Sequence, residues 1–236
     1  MNIVDVCIVC IILLIALSGF RRGVFKQAVI TIGSILIFIL AYKLKDPLAN
    51  FFSYNLPFFN FKGDFLGLST INIIVYQMLA FLIVLSILSV ILGIIIKITG
   101  LFETILKFTV VLSIPSKILG FILGLIEGYL VIFIVLFFLN QPAINIDILN
   151  ESKYMPKIIN NSFGLSSYVK KTNDSINEIY KLGKDYVLTN DSNTFNKNAI
   201  DVMLKNKIIT VDYVETLISK GKINIIGIDE ILNKYR

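Results

Sequence analysis

Residues 73–96 read IIVYQMLAFLIVLSILSVILGIII, from Ile73 to Ile96, without a single charged side chain. As an α-helix this stretch would be about 36 Å long, more than the roughly 30 Å of a bilayer's hydrocarbon core. Seventeen of its 24 residues are Ile, Leu, Val or Phe, so insertion into lipid is favourable by about 5–10 kcal/mol. A transmembrane helix is predicted here, and it sets the scale for its neighbours. Downstream, Ile118–Leu139 holds 17 strongly apolar residues and one acid, Glu127. That acid costs on the order of 3 kcal/mol at mid-bilayer, which the rest of the segment outweighs. Upstream, Phe25–Tyr42 forms another span, with Lys26 near its start, placed to reach the headgroups. Ile3–Phe20 is an 18-residue apolar run broken only by Asp5, Ser18 and Gly19. Its basic residues, Arg21 and Arg22, follow the run, whereas a secretory signal carries them in front. It reads as a retained first helix.

The chain is therefore expected to be all-α and polytopic, with about four transmembrane helices in residues 1–140 and a small, mostly helical polar tail in residues 141–236. Mean hydropathy is +0.81, 56% of residues are apolar and 16% are charged, too few charges for a soluble surface of this size. Two intermediate stretches read as non-spanning. Pro47–Leu68 is rich in Phe but interrupted by Pro47, Pro57 and Gly63, which suits an interfacial segment. Leu101–Ile114 suits a short amphipathic helix lying along the surface. In the tail, Ser175–Leu182 and Ala199–Lys205 have helical periodicity, Thr210 can cap a helix over Val211–Lys220 that Gly221 ends, and a last helix begins near Asp229. A loosely packed module is expected.

Basic residues set orientation. Arg21, Arg22 and Lys26 in the first connection, and Lys97, Lys107 and Lys117 in the third, place both connections in the cytoplasm and both termini outside. The formal charge of +6 does not indicate nucleic acid. Thirteen Lys and Arg in the tail face eleven acids there, leaving a net charge of +2, a mixed solvated surface rather than a polyanion-binding field. The chain has no histidine, which removes Ser-His-Asp and Cys-His triads and the HExxH zinc site. Phosphate-binding glycine loops are also missing. The expectation is a protein that is not an enzyme, with no catalytic, cofactor or metal residues. Cys7 and Cys10 read as small apolar residues one turn apart on a membrane helix rather than a redox or metal pair.

Three patterns stand out. Gly120, Gly124 and Gly128 stand four apart on one helix face, a ridge for close helix approach in lipid. The third span offers small residues at Ser86, Ser89 and Gly93 as the expected partner surface. Glu127 beside the ridge is a candidate intramembrane functional acid, with Gln77 or Tyr76 as expected partners. Gly19-Phe-Arg-Arg-Gly23 reads as a topology turn, its Arg21 and Arg22 gripping anionic headgroups while Gly19 and Gly23 permit a tight reversal.

Together, Asp5 opening the first span, Gly19-Phe-Arg-Arg-Gly23 closing it, and the Lys117-Ile-Leu-Gly120, Gly124, Gly128 run ending in Phe137-Phe138-Leu139 resemble the CvpA (colicin V production protein) family of bacterial inner-membrane proteins. The resemblance covers roughly residues 1–140. It implies four membrane helices and a link to toxin production or export and to envelope homeostasis. Two positions differ from what the family often carries: Glu127 stands where a basic residue is common, and Ser116-Lys117 where an Asp/Asn-Arg pair is. The expected function is a non-enzymatic scaffold or accessory factor, with a small transporter or channel component as the alternative. Partners expected are the lipid bilayer, envelope proteins and a second copy of the chain.

Overall fold

In the computed structural model, residues 2–59, 68–106, 113–140, 147–162 and 165–236 are described, and among them helices and turns are the whole of the structure. The elements are α1 (Ile3–Arg22), α2 (Val24–Asn55), α3 (Ile71–Leu106), α4 (Ser113–Leu139), α5 (Asp147–Asn150), α6 (Met155–Asn161), α7 (Leu165–Thr189), α8 (Ser192–Lys205), α9 (Val211–Ser219) and α10 (Ile228–Tyr235). Four of these are long and apolar enough to cross a membrane: Ile3–Arg22, Val24–Asn55, Ile71–Ile98 and Ile114–Leu139. The chain is a polytopic membrane protein.

Two compact units divide the chain, one made of Met1–Tyr42 and Val84–Ser166, the other of Lys43–Ile83 and Ser167–Arg236. This differs from a division at residue 140, which follows polarity along the chain. The reason lies in helix length. At 1.5 Å per residue, α2 and α3 run for about 48 and 54 Å, well beyond a hydrocarbon core of roughly 30 Å. Lys43, Lys45 and Asp46 mark the point in α2 beyond which the sequence stops suiting lipid.

In the first unit, α1 packs most extensively on α4. Phe38 of α2 meets Phe133 of α4 edge-on, with ring centroids 5.9 Å apart, and Gly33 of α2 lies against Leu92 of α3. Asp5, buried in the first turn of α1, accepts hydrogen bonds from Ser152 Oγ (2.6 Å), Lys153 N (3.1 Å) and Tyr154 N (3.2 Å). Asn2 Nδ2 donates to the Ile148 carbonyl at 2.9 Å. The start of α1 is thereby tied to the chain that follows α4, as an even number of spans requires.

The second unit has a hydrophobic core of the kind found in water-soluble domains. Met203, Val214, Leu217 and Ile200 are fully buried, with Leu68 and Ile73 contributed from the α2–α3 region. The tail is thus closely packed, not loose. Asp191 caps α8, accepting from Thr194 N at 3.0 Å. Thr210 caps α9 through Tyr213 N at 3.3 Å, and Gly221 follows the helix with a positive φ of 65°. Tyr213 is itself buried, which pushes its phenol well above the ordinary range despite a hydrogen bond to Ser53 at 2.6 Å.

Several expectations are corrected. The predicted third span, Ile73–Ile96, is not among them: it lies within Ile71–Ile98, long and apolar enough to cross a membrane, although its first turns also pack on protein, with Ile73, Tyr76 and Ala80 buried. Burial in protein and burial in lipid leave the same composition, so hydropathy cannot separate them. The Phe-rich stretch is helical as far as Asn55, α2 continuing through Pro47, which removes one backbone donor. Residues 60–67 lie outside the described residues. The separate surface helix at Leu101–Ile114 is not formed as expected, since residues 101–106 continue α3 and residues 113–114 open α4; residues 107–112 lie outside the described residues.

Candidate functional site: a polar cluster beside the glycine ridge

The site begins with backbone contact. A Cβ on Gly120 would stand 2.5 Å from the Gly19 carbonyl oxygen, one on Gly124 2.8 Å from Ala16 Cα, and one on Gly128 3.0 Å from Ile12 Cα. The pairing order, 19 with 120, 16 with 124 and 12 with 128, makes α1 and α4 antiparallel. Only glycine lets the two backbones come this close, and in lipid that close approach supplies the dispersion contacts that hydrophobicity cannot.

The ridge therefore faces α1, not the third span. This corrects the expected pairing with Ser86, Ser89 and Gly93. Ser89 is exposed and its hydroxyl donates to the Leu85 carbonyl of its own helix. A Cβ on Gly93 would meet nothing within 4 Å.

The Gly19–Gly23 turn completes the arrangement. Gly23 ends α1 with φ 80° and ψ 169°, a combination that strains any residue with a Cβ. The reversal brings α2 alongside at once: Val24 N donates to Ser116 Oγ of α4 at 3.1 Å. Three residues on, Gln27 is fully buried. Its Nε2 donates to Glu127 Oε2 at 2.6 Å and to Thr31 Oγ1 at 3.2 Å. Thr31 in turn donates to the Leu123 carbonyl at 3.1 Å. Arg22 donates to Gln27 Oε1 at 3.3 Å and stands 3.5 Å from Glu127 Oε2.

Direction explains how Arg22, at the end of α1, reaches an acid nine residues beyond Ile118. Helical side chains lean toward their own N-terminus, so Glu127 leans back along α4 toward the turn. Its carboxylate, 15% exposed, is matched by the Arg22 guanidinium, 35% exposed. An unpaired charge there would cost about 3 kcal/mol or more. The pair and its amide neighbour convert that liability into a cross-link among α1, α2 and α4, and no buried side-chain polar atom of the cluster lacks a partner.

Glu127 does not meet Gln77 or Tyr76 as expected. Gln77 accepts from Lys45 Nζ at 2.5 Å and Tyr76 donates to the Pro57 carbonyl at 2.6 Å. Of the topology-turn residues, Arg21 is exposed while Arg22 turns inward, a division of labour invisible in the dipeptide. Gln27 and Thr31 were missed altogether. Their signal was there: two polar residues at i, i+4 in an otherwise apolar span. Asp5 marks the opening of the first helix in the sequence, but its partners at 152–154 cannot be read from a position nearly 150 residues away. Cys7 and Cys10 are both exposed on α1. Among the described residues no group of three or more His, Cys, Asp or Glu is arranged to hold a metal ion.

Four apolar helices, a glycine-lined antiparallel contact and a half-buried carboxylate–guanidinium cross-link define a helical-bundle membrane protein. The family model described as Colicin V production protein matches residues 4–162. The chain belongs to that family, and the match runs past α4 to include the segment that Asp5 holds. No curated protein and no solved structure matches the chain.

Proposed function

We propose that this protein is a non-enzymatic scaffold or accessory factor of the bacterial cytoplasmic membrane, serving toxin production or export and envelope homeostasis. The observation that carries the reading is the state of Glu127. The one acid deep in a span is engaged by Gln27 and Arg22 in joining three helices, as a structural cross-link would be. A transport path would instead favour a carboxylate with room for a moving ligand. The closely packed second unit supplies a defined extramembrane surface for envelope partners.

Both termini and the tail lie outside the cytoplasm in this proposal, following the basic residues at the other ends of the spans. A reporter fusion at Arg236 tests that point: alkaline phosphatase activity supports it, and cytoplasmic fluorescence reverses it. Function is tested by photo-crosslinking from exposed tail positions in intact cells. Recovery of envelope proteins at defined positions supports a scaffold. Absence of any adduct, together with ion or peptide flux by the purified protein in liposomes, would replace it with the transport reading.

A further inference from the structure

We propose that the α1–α4 junction is a binding site for the phosphate headgroup of an anionic phospholipid, held by Arg21 and Lys117. These residues are 96 positions apart in the chain, and the glycine contact brings together the helix ends that carry them. A Cβ on Gly120 would meet Gly23 Cα at 3.2 Å, and one on Gly23 would meet Ser116 Oγ at 3.1 Å, so residues 116–120 of α4 lie directly against the end of α1. Lys117 Nζ sits 5.9 Å from the centroid of the Phe20 ring, the residue next to Arg21.

The two arginines of the turn have different tasks. Arg22 is committed inward to Gln27 and Glu127. Arg21 and Lys117 are both exposed, and Glu127 is already paired with Arg22 and Gln27. Their positive charge is therefore uncompensated among the described residues of the junction. Lys26, half-buried in the first turn of α2, adds to the same field.

The exposed apolar residues next to the cations in the chain select the ligand. Phe20, Phe25, Ile118 and Leu119 are apolar and exposed, Phe25 to 70%. A cationic pair next to exposed apolar residues matches an amphiphile, phosphate on the one and acyl chains on the other. A free phosphate ion would use the cations and leave the apolar surface unused. Aqueous salt would also screen that ion more effectively than a headgroup held at the membrane plane.

The test uses the full-length protein reconstituted in vesicles of phosphatidylcholine with one fifth phosphatidylglycerol, followed by gradual delipidation and mass analysis of retained lipid. Wild type is expected to keep phosphatidylglycerol over phosphatidylcholine. Each basic residue near the surface contributes about fivefold, so R21Q/K117Q is expected to lose roughly 20-fold in phosphatidylglycerol retention. A matched R236Q/K205Q variant, altered in the second unit, should retain it. Equal retention of the two lipids by wild type would overturn the proposal, as would a double variant that keeps its preference. Displacement by millimolar inorganic phosphate would also overturn it, making this a free-phosphate site. A melting curve of the double variant that matches wild type ensures that lost lipid is not lost fold.

Discussion

The two compact units of this chain solve the packing problem in opposite ways. The unit containing the spans α1 and α4 is held at its centre by the smallest residues available, Gly19, Gly120, Gly124 and Gly128, and by a polar cross-link. The unit containing the tail is held by large apolar side chains, Met203, Leu217, Ile200 and Tyr213 among them. Solvent is the cause. In water, burying a Leu or Met removes apolar surface from an unfavourable environment and stabilises by about 1.5–3 kcal/mol. In hydrocarbon that gain vanishes, since lipid tails are as apolar as leucine. What remains is close packing and the satisfaction of polar groups. The lesson is that burial of large residues marks stability in one unit, and absence of side chain marks it in the other.

Truncating the apolar core of the tail unit should give the largest effect. Leu217→Ala is expected to destabilise that unit by about 2–5 kcal/mol, because Leu217 is wholly buried. Urea titration in mild detergent, followed by protease sensitivity at tail and span sites, checks this. Cleavage of the spans before the tail would break the contrast between the two units.

Enlarging the ridge comes next. Gly124→Val places atoms against the Ala16 backbone and is expected to cost about 1–3 kcal/mol, seen as weakened α1–α4 crosslinking between introduced cysteines. The matching control is Gly93→Ala. Nothing lies within 4 Å of the added carbon there, so loss of glycine from mid-helix should be neutral or stabilise by up to about 1 kcal/mol. If both substitutions behave alike, the ridge is not what joins the helices.

A smaller loss is expected from Glu127→Gln. The amide keeps a hydrogen bond to Gln27 but leaves Arg22 without its counter-charge. Because Arg22 is 35% exposed at the helix end, its charge stays partly solvated and the cost is about 1 kcal/mol, in the range measured for hydrogen bonds between membrane helices, below that of an unpaired charge at mid-span. Thermal melting in detergent measures it, and Arg22→Gln combined with Glu127→Gln should recover part of the loss. A double variant worse than the sum of the two would show that they do not act as a pair.

The smallest effect belongs to the surface of the tail unit. Glu230 stands 2.6 Å from Lys197, whose hydrogen bond and charge lower its carboxyl below the ordinary 4.5. The group binds its proton more weakly folded than unfolded. Its contribution is therefore fully present above about pH 4.5 and is lost as pH falls through the lowered value. Melting curves of wild type and Glu230→Gln between pH 3 and 7 should differ at the upper end and converge at the lower. Parallel curves throughout would remove the interaction from the account, which an exposed pair can bear.

Hydropathy and the glycine spacing of the sequence determined that the chain is all-helical and polytopic, where its apolar runs lie, and which face of α4 approaches another backbone. Those are local properties, readable because lipid and helix geometry act on every residue alike. The caps at Thr210 and Gly221 were legible for the same reason. Which helix meets the ridge was not, because any small-residue face satisfies the pattern. Nor could the run from Ile73 be divided between protein and lipid, since both environments demand the same residues. The partners of Glu127 and Asp5 depend on contacts between positions 100 residues or more apart. Such contacts exist only once the helices have packed, and tertiary structure alone decided them.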